Sequence, residues 1–404
     1  MPSIRRSSRR RPALAAAAVV AALAVTATAC GPGDDEAGSS PDASSSAGSD
    51  TSQGKGGDEF DLNLPKDLPT SLQDLEKWKD GGWENWDKKD WLRDAADFVN
   101  PYIKDLWKPD RMQDAQDATK DVTEEEVAAA SGPQDDPEPR PVQASKVKTP
   151  YHKHAAPVGK LFFDSPEGPS VCSGTVVKDP RNPGKSNLVA TAGHCVHGGK
   201  GKGWYRNIVF VPSYNDLGRP ANQVGSGSAH EVYPYKQWWA TWAQTTGYWI
   251  DRGDGVDGAR GASQDFAVVQ VKAEDGSAKS VEETVGAALE INFNAPTPKQ
   301  QTGLTSYGYP AAPPYDGALM HRCTARPGQL TTDPSQPALY RIGCTMTGGT
   351  SGGGILANGD GGKAQLVSVN SIGPRPATWL AGPYLGTEAK GVFDAISKRH
   401  AGKN

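Results

Sequence analysis

From about Pro150 onward the chain is a succession of short apolar runs cut by Gly, Pro and Asn. "VGKLFF", "SGTVV", "NLVATAG", "NIVFVP", "DFAVVQV" and "QLVSVNSIG" are too short and too often punctuated to be helices. Runs of this kind between turn signals describe β-strands, and many in series describe an all-β sandwich or barrel. Only the last stretch, "TEAKGVFDAISKRH", has helical spacing. Glu388 falls in its first turn, Val392, Phe393 and Ile396 share one face, and the bases come at its end.

Upstream, the chain is organised by charge and composition. The first 30 residues hold five Arg and no acid, then an Ala/Val-rich run ending in "ATAC". That is an export signal. Cys30 is read as the lipid-bearing residue of a bacterial lipobox, while Ala27-Thr28-Ala29 also satisfies ordinary signal cleavage. The expected location is extracellular, anchored to the outer face of the bacterial cytoplasmic membrane. Residues 31–57 are Gly/Ser/Asp-rich and predict a disordered tether. Residues 58–120 are acidic and hold Trp78, Trp83, Trp86, Trp91 and Trp107. Large aromatics have no use in a free linker, so this segment predicts a pro-region or an intramolecular docking segment. Residues 121–149 read as a linker, and 150–404 as the main domain.

From Gly31 to Ser145 there are 28 acidic and 12 basic residues, a net −16, whereas the remainder carries 19 acids and 26 bases, a net +7. The bases of that remainder are scattered, without a basic run, which argues against a nucleic-acid partner. Opposite charges on the two parts suggest attraction between them.

Five cysteines are odd for an exported chain. Setting Cys30 aside leaves Cys172, Cys195, Cys323 and Cys344. They can pair locally, 172 with 195 and 323 with 344, or stand as buried thiols; export favours pairing.

Three motifs carry chemistry. "VATAGHCVH" sets His194 after a strand-like run, where an imidazole held rigidly can serve as a general base. "SQDFAVVQV" sets Asp265 at the head of an apolar strand, a costly position unless the carboxylate is hydrogen-bonded. "TGGTSGGGIL" sets Ser351 among glycines, so that the Gly349 and Ser351 amides can converge on one point as an oxyanion hole. His194 and His197 form H-x-x-H, but no third ligand is in sight. No metal and no cofactor are expected.

The order His, Asp, Ser and the contexts "TAGHC", "DFAVV" and "TSGGG" resemble the chymotrypsin-like serine peptidases. Bacterial extracellular members, including the V8-like glutamyl endopeptidase group, look most similar. The resemblance implies two six-stranded antiparallel β-barrels with the site between them, a C-terminal helix and a Cys172–Cys195 bridge. It implies hydrolysis of protein or peptide substrates by a triad of His194, Asp265 and Ser351. It also puts Thr345 at the floor of the specificity pocket, and Ser368, Val369 and Asn370 on the strand that meets substrate. A neutral Thr345 favours a small or uncharged side chain over Lys or Arg.

Two departures stand out. Thr350 precedes the nucleophile where the family often has aspartate, so activation by a new N-terminal ammonium is not open to this chain. The 71 residues from His194 to Asp265 include an aromatic stretch with Trp238, Trp239, Trp242 and Trp249, read as an insertion. The competing readings are an inactive peptidase-fold binding module and a cell-surface interaction protein.

Overall fold

The computed structural model describes residues 100–402 apart from 101, 119, 120, 131, 133, 256, 257, 360 and 361. The expected signal segment with Cys30, the tether, and most of residues 58–120, including Trp78, Trp83, Trp86 and Trp91, lie outside the described residues.

Three two-residue strands come first: β1 (Gln116–Asp117), β2 (Asp121–Val122) and β3 (Ser145–Lys146). Six longer ones follow: β4 (Val158–Ser165), β5 (Gly168–Val177), β6 (Leu188–Thr191), β7 (Arg206–Pro212), β8 (Trp238–Thr245) and β9 (Ala267–Ala273). They pair in the order β5-β4-β7-β8-β9-β6, and β6 returns to β5. Every one of those pairings is antiparallel, so the sheet closes into a six-stranded barrel. β6 takes Thr175–Val177 of the long β5, and β1 takes Ser170 and Val171 in parallel.

β4 is buried at all eight positions, which a barrel strand with a wet outer face would not be. Its side chains alternate between faces. Leu161 and Phe163 enter the barrel core with Val176, Val189, Phe210 and Val269. Val158 and Phe162 face outward, into a second cluster with Ile103, Leu106, Trp107 and Met112. Residues 100–115 therefore cover this wall of the barrel. Their polar groups are matched as well as their apolar ones. The Asn100 side chain donates to Ile208 O and Ala240 O at 3.0 and 2.9 Å, and Trp107 Nε1 donates to Asn207 O at 2.7 Å. Arg111 pairs with the buried Asp164 at 2.6 Å.

The second half holds β10 (Glu290–Ile291), β11 (Leu304–Gly308), β12 (His321–Ala325), β13 (Gly328–Leu330), β14 (Leu339–Gly343), β15 (Gly354–Asn358), β16 (Ala364–Val369), β17 (Gly373–Pro374) and β18 (Trp379–Gly382). A six-stranded sheet, β10-β16-β15-β11-β12-β3, and a three-stranded one, β13-β14-β18, wrap around a shared core that includes Leu304, Ile342, Ile355, Val367 and Leu380. The Cys323–Cys344 disulfide ties the two sheets together, and Cys172–Cys195 braces the first barrel. β2 joins β17 in a separate parallel pair. Residues 121–149, expected as a linker, thus contribute two strands to sheets of the second half.

The C-terminal helix spans Thr387–Arg399 and packs Ala389, Val392, Phe393 and Ile396 onto the first barrel's core. The aromatic stretch before Asp265 is not an addition to the barrel but part of its wall. Trp238, Trp239 and Trp242 lie on β8, and Trp249 is fully buried in the short helix Gly247–Arg252. Bulky aromatics without clean alternation conceal the strand, whose register shifts between Ala240 and Trp242.

Candidate active site

His194 sits on a single 3₁₀ turn, Gly193–Cys195, at the end of β6. The turn is held from every side. Cys195 is bridged to Cys172 on β5, and Trp249 lies with its ring centroid 6.1 Å from the imidazole. A side chain at Gly193 would meet Thr245, Asp265 and Trp249 at 2.7–2.9 Å, so glycine is required before the histidine.

Asp265 grips this turn with both oxygens. Oδ1 accepts the His194 backbone N–H at 2.8 Å, and Oδ2 lies 2.6 Å from His194 Nδ1. Both residues are fully buried. A buried carboxylate is held there only by such hydrogen bonds. With Nδ1 taken, Nε2 is the nitrogen left for chemistry. It is buried and has no hydrogen-bond partner among the described residues.

A third group reaches the aspartate: Ser371 Oγ donates to Asp265 Oδ2 at 2.5 Å. Ser368, expected on the strand that meets substrate, makes no such contact. Ser368 is inside β16, with its hydroxyl donating to Pro383 O at 2.7 Å. Val369 is likewise buried, in the first barrel's core. Asn370 does reach the cleft wall, but its side chain is spent on bracing. Nδ2 donates to Tyr307 O and Thr350 O at 3.1 and 3.2 Å, and Oδ1 accepts from Ser306. The signal for Ser371 was the "NSIG" that follows the end of the apolar run. Without strand ends, two serines three apart could not be told apart.

Ser351 occupies the turn before β15, tied to the first barrel at two points. Ser173 N donates to Ser351 O at 2.7 Å, and Ser173 Oγ donates to Gly349 O at 2.9 Å. Gly352 adopts φ +78°, and a side chain on it would collide with Thr191 Oγ1. Its backbone therefore abuts the strand end that delivers His194, which seats the serine turn against the histidine turn. Thr350 closes the turn locally, its hydroxyl donating to Thr347 O at 2.8 Å.

The amides of Gly349 and Ser351 donate to no group among the described residues. Gly348 O accepts from Ala311 N at 2.6 Å. In a trans peptide the next N–H points the opposite way, so this bond aims the Gly349 amide away from the Ala311 loop.

A cleft of about 370 Å³ opens beside Ser351. Thr345 lines it with Tyr315, Met346, Ser371 and Gly373. Thr345 Oγ1 accepts Ala144 N at 2.9 Å and lies 3.2 Å from the Tyr315 hydroxyl, leaving an uncharged wall. Gln143 and Asp121, from the segment ahead of the first barrel, line the same cleft.

Cys172, His194 and Cys195 come together closely enough to suggest a metal site, but both sulfurs are spent in the disulfide. His197 is turned away from His194's chemistry. Its Nδ1 accepts Gly199 N, and burial pushes its pKa down to about 4.

Solved structures supply the comparison. The chain is similar to the thermostable serine protease AL20 from an extremophilic microorganism, at 31% identity over 60% of this chain and 98% of that one, with a TM-score of 0.48. It is similar to protease Anisep from Arthrobacter nicotinovorans at 27% identity, over 63% and 99% of the two chains, with a TM-score of 0.48. A Glu endopeptidase matches at 17% identity over 63% and 96%, with a TM-score of 0.44. No protein-family model and no curated protein matches the chain. With AL20 matched along nearly its whole length at 31% identity, the chain belongs to the chymotrypsin-like serine peptidases.

Proposed function

We propose that this protein is a serine endopeptidase in which Ser351 attacks the scissile carbonyl, His194 carries the proton and Asp265 holds His194. The observation that carries the reading is the doubly bonded Asp265–His194 pair, whose remaining nitrogen, Nε2, is buried without a hydrogen-bond partner among the described residues. Leaving such a group unpaired costs about 1–3 kcal/mol, a cost that makes sense where a proton is to be received.

The carboxylate fixes the proton on Nδ1, so Nε2 is the base. As Ser351 Oγ bonds to the carbonyl carbon, its proton passes to Nε2 and the carbonyl π pair moves onto oxygen. The amides of Gly349 and Ser351 receive that oxyanion. Collapse of the tetrahedral adduct breaks the C–N bond, and Nε2–H protonates the departing amine. Water then repeats the sequence on the acyl-enzyme and frees Ser351. The uncharged wall at Thr345 supports an uncharged residue at the cleavage point over Lys or Arg.

The signal segment and Cys30 support export and a lipid anchor on the outer face of a bacterial cytoplasmic membrane. The acidic residues 58–120 fit a pro-region or tethered regulator of the basic domain, and the burial of Trp107 supports contact between them. Replacing Ser351 by Ala is expected to lower turnover on the order of 10⁶-fold. Undiminished hydrolysis, or unchanged labelling by a fluorophosphonate, removes Ser351 from the mechanism. Loss of fatty-acid labelling in Cys30→Ser tests the anchor. N-terminal sequencing of the active protein tests removal of the pro-region: an active form still beginning at residue 30 excludes it.

A further inference from the structure

The edge of β17 faces the cleft and is already occupied. β2 pairs with it in parallel, Asp121 opposite Gly373 and Val122 opposite Pro374. Ser371 and Ile372, just before it, are fixed on their other side by Ala381 of β18, which leaves only this edge open to an incoming chain. Val122 is 3% exposed and sits with Ile372 and Trp379, while Asp121 O accepts Gly258 N at 3.1 Å. The segment is thus inserted rather than laid on the surface. Its carboxylate meets a cation: Arg375 Nε donates to Asp121 Oδ2 at 2.6 Å.

Resting on the peptidase reading above, we infer that Arg375 is a specificity-determining residue that accepts an acidic side chain of the substrate, a position that Asp121 fills in this chain. Ser371 adjoins the Ser351–His194–Asp265 group, and Gly373 lies two residues farther along the same edge. Extended chains advance at matched spacing. The substrate residue opposite Gly373 is therefore the third on the acyl side of the scissile bond, counting the residue attacked as the first. Its side chain comes beside Arg375, as Asp121's does. Pro374 and Pro376 flank Arg375 and restrict the backbone that carries it, so the guanidinium is presented from a stiff segment. The ion pair is well exposed and adds little to folding. Its consequence is selectivity: a carboxylate is favoured there, and Lys or Arg is disfavoured by like charge. Because β2 runs parallel to β17, its direction opposes that of a peptide paired antiparallel for cleavage, so it fills the subsite without presenting a bond to Ser351.

Cleavage-site profiling of a denatured protein mixture tests this, using the full chain with Asp121→Ala and Val122→Asn together, and the same chain with Arg375→Glu added. The first variant removes the internal carboxylate and the buried anchor that seats β2 on the edge, while leaving Arg375 in place. Its cleavage sites should show Asp or Glu at the third residue about tenfold over Lys or Arg, the ratio that one charge-assisted contact supplies. With Arg375→Glu added the preference should reverse. Fluorophosphonate labelling of Ser351 is read in parallel on the parent and both variants. Labelling of both variants without that preference and reversal overturns the role of Arg375 alone. Loss of labelling only with Arg375→Glu also overturns it, since Arg375 would then be structural. Labelling of the parent alone overturns the inference, since β2 would then be structural and not an occupant of the subsite. Absence of labelling in all three removes the peptidase reading, and this inference with it.

Discussion

Ser371 donates its hydroxyl to the same carboxylate oxygen of Asp265 that lies against His194 Nδ1. One oxygen thus serves two groups, and the strand that borders the cleft is fastened to the carboxylate that holds His194. Ser371→Ala should loosen the carboxylate and lower kcat about 10- to 100-fold, with KM changed much less. Ser368→Ala, whose hydroxyl bonds only inside the second half, should leave kcat within about twofold while costing about 1 kcal/mol of stability. Steady-state kinetics and denaturant titration on both variants distinguish the two roles. Equal effects on kcat would mean that neither serine acts through Asp265.

His197 sets an acid limit on folding. Its folded pKa is pushed down to about 4 by burial, against about 6.5 in the unfolded chain. Between those values the unfolded state binds a proton that the folded state refuses. Stability is therefore full above pH 6.5 and falls as pH drops toward 4, by about 3 kcal/mol. His197→Gln should flatten that part of the stability curve measured by urea unfolding from pH 4 to 7. An unchanged slope would assign the acid limb to other groups.

Much of the fold was legible because barrel strands are made of residues that prefer to be buried in extended chains. "VGKLFF", "SGTVV", "NIVFVP" and "DFAVVQV" became β4, β5, β7 and β9, and "TAGHC", "DFAVV" and "TSGGG" brought His194, Asp265 and Ser351 to adjoining turns. Three features were not legible, each for a physical reason. β8 was concealed because Trp238, Trp239 and Trp242 do not alternate cleanly across the bulge. The choice between Ser368 and Ser371 depends on where β16 ends, which its apolar pattern does not mark. β2 and β3 escaped notice because a two-residue strand has no periodicity; the edges that pair with it define it.

Trp107 offers a measure of how far the segment before the barrels belongs to the domain. It is fully buried against Phe162, with ring centroids 5.3 Å apart, and its indole N–H bonds to Asn207 O. Trp107→Ala removes that packing and leaves Asn207 O short of a donor, and should cost about 3–5 kcal/mol. Equilibrium unfolding of the full chain gives the value directly. A change below about 0.5 kcal/mol would mean that residues 100–115 are dispensable to the folded barrel.

Lys160 provides the converse pH test, in the alkaline range. It is buried on β4, donates to Gly317 O at 2.9 Å and lies over the rings of Tyr214 and Phe162 at 4.8 and 5.1 Å. Burial brings its pKa down to about 7 from the ordinary 10.5, with Asp316 opposing the shift. From pH 7 to 10 the unfolded chain holds a proton that the folded one has released, so stability should rise with pH across that window. Lys160→Met should remove the rise. At pH 7 the variant should be within about 1.5 kcal/mol of the parent, because the lost bond to Gly317 O is offset by the absence of a buried charge. Gly317 N closes the Pro310–Gly317 loop through Pro310 O, and Ala311 in that loop aims the Gly349 amide. The variant should therefore lose activity by about three- to tenfold even where it is fully folded. Activity measured beside thermal unfolding from pH 6 to 10 checks both halves. A parent whose stability is flat above pH 7 would show that Lys160 stays charged in the folded protein.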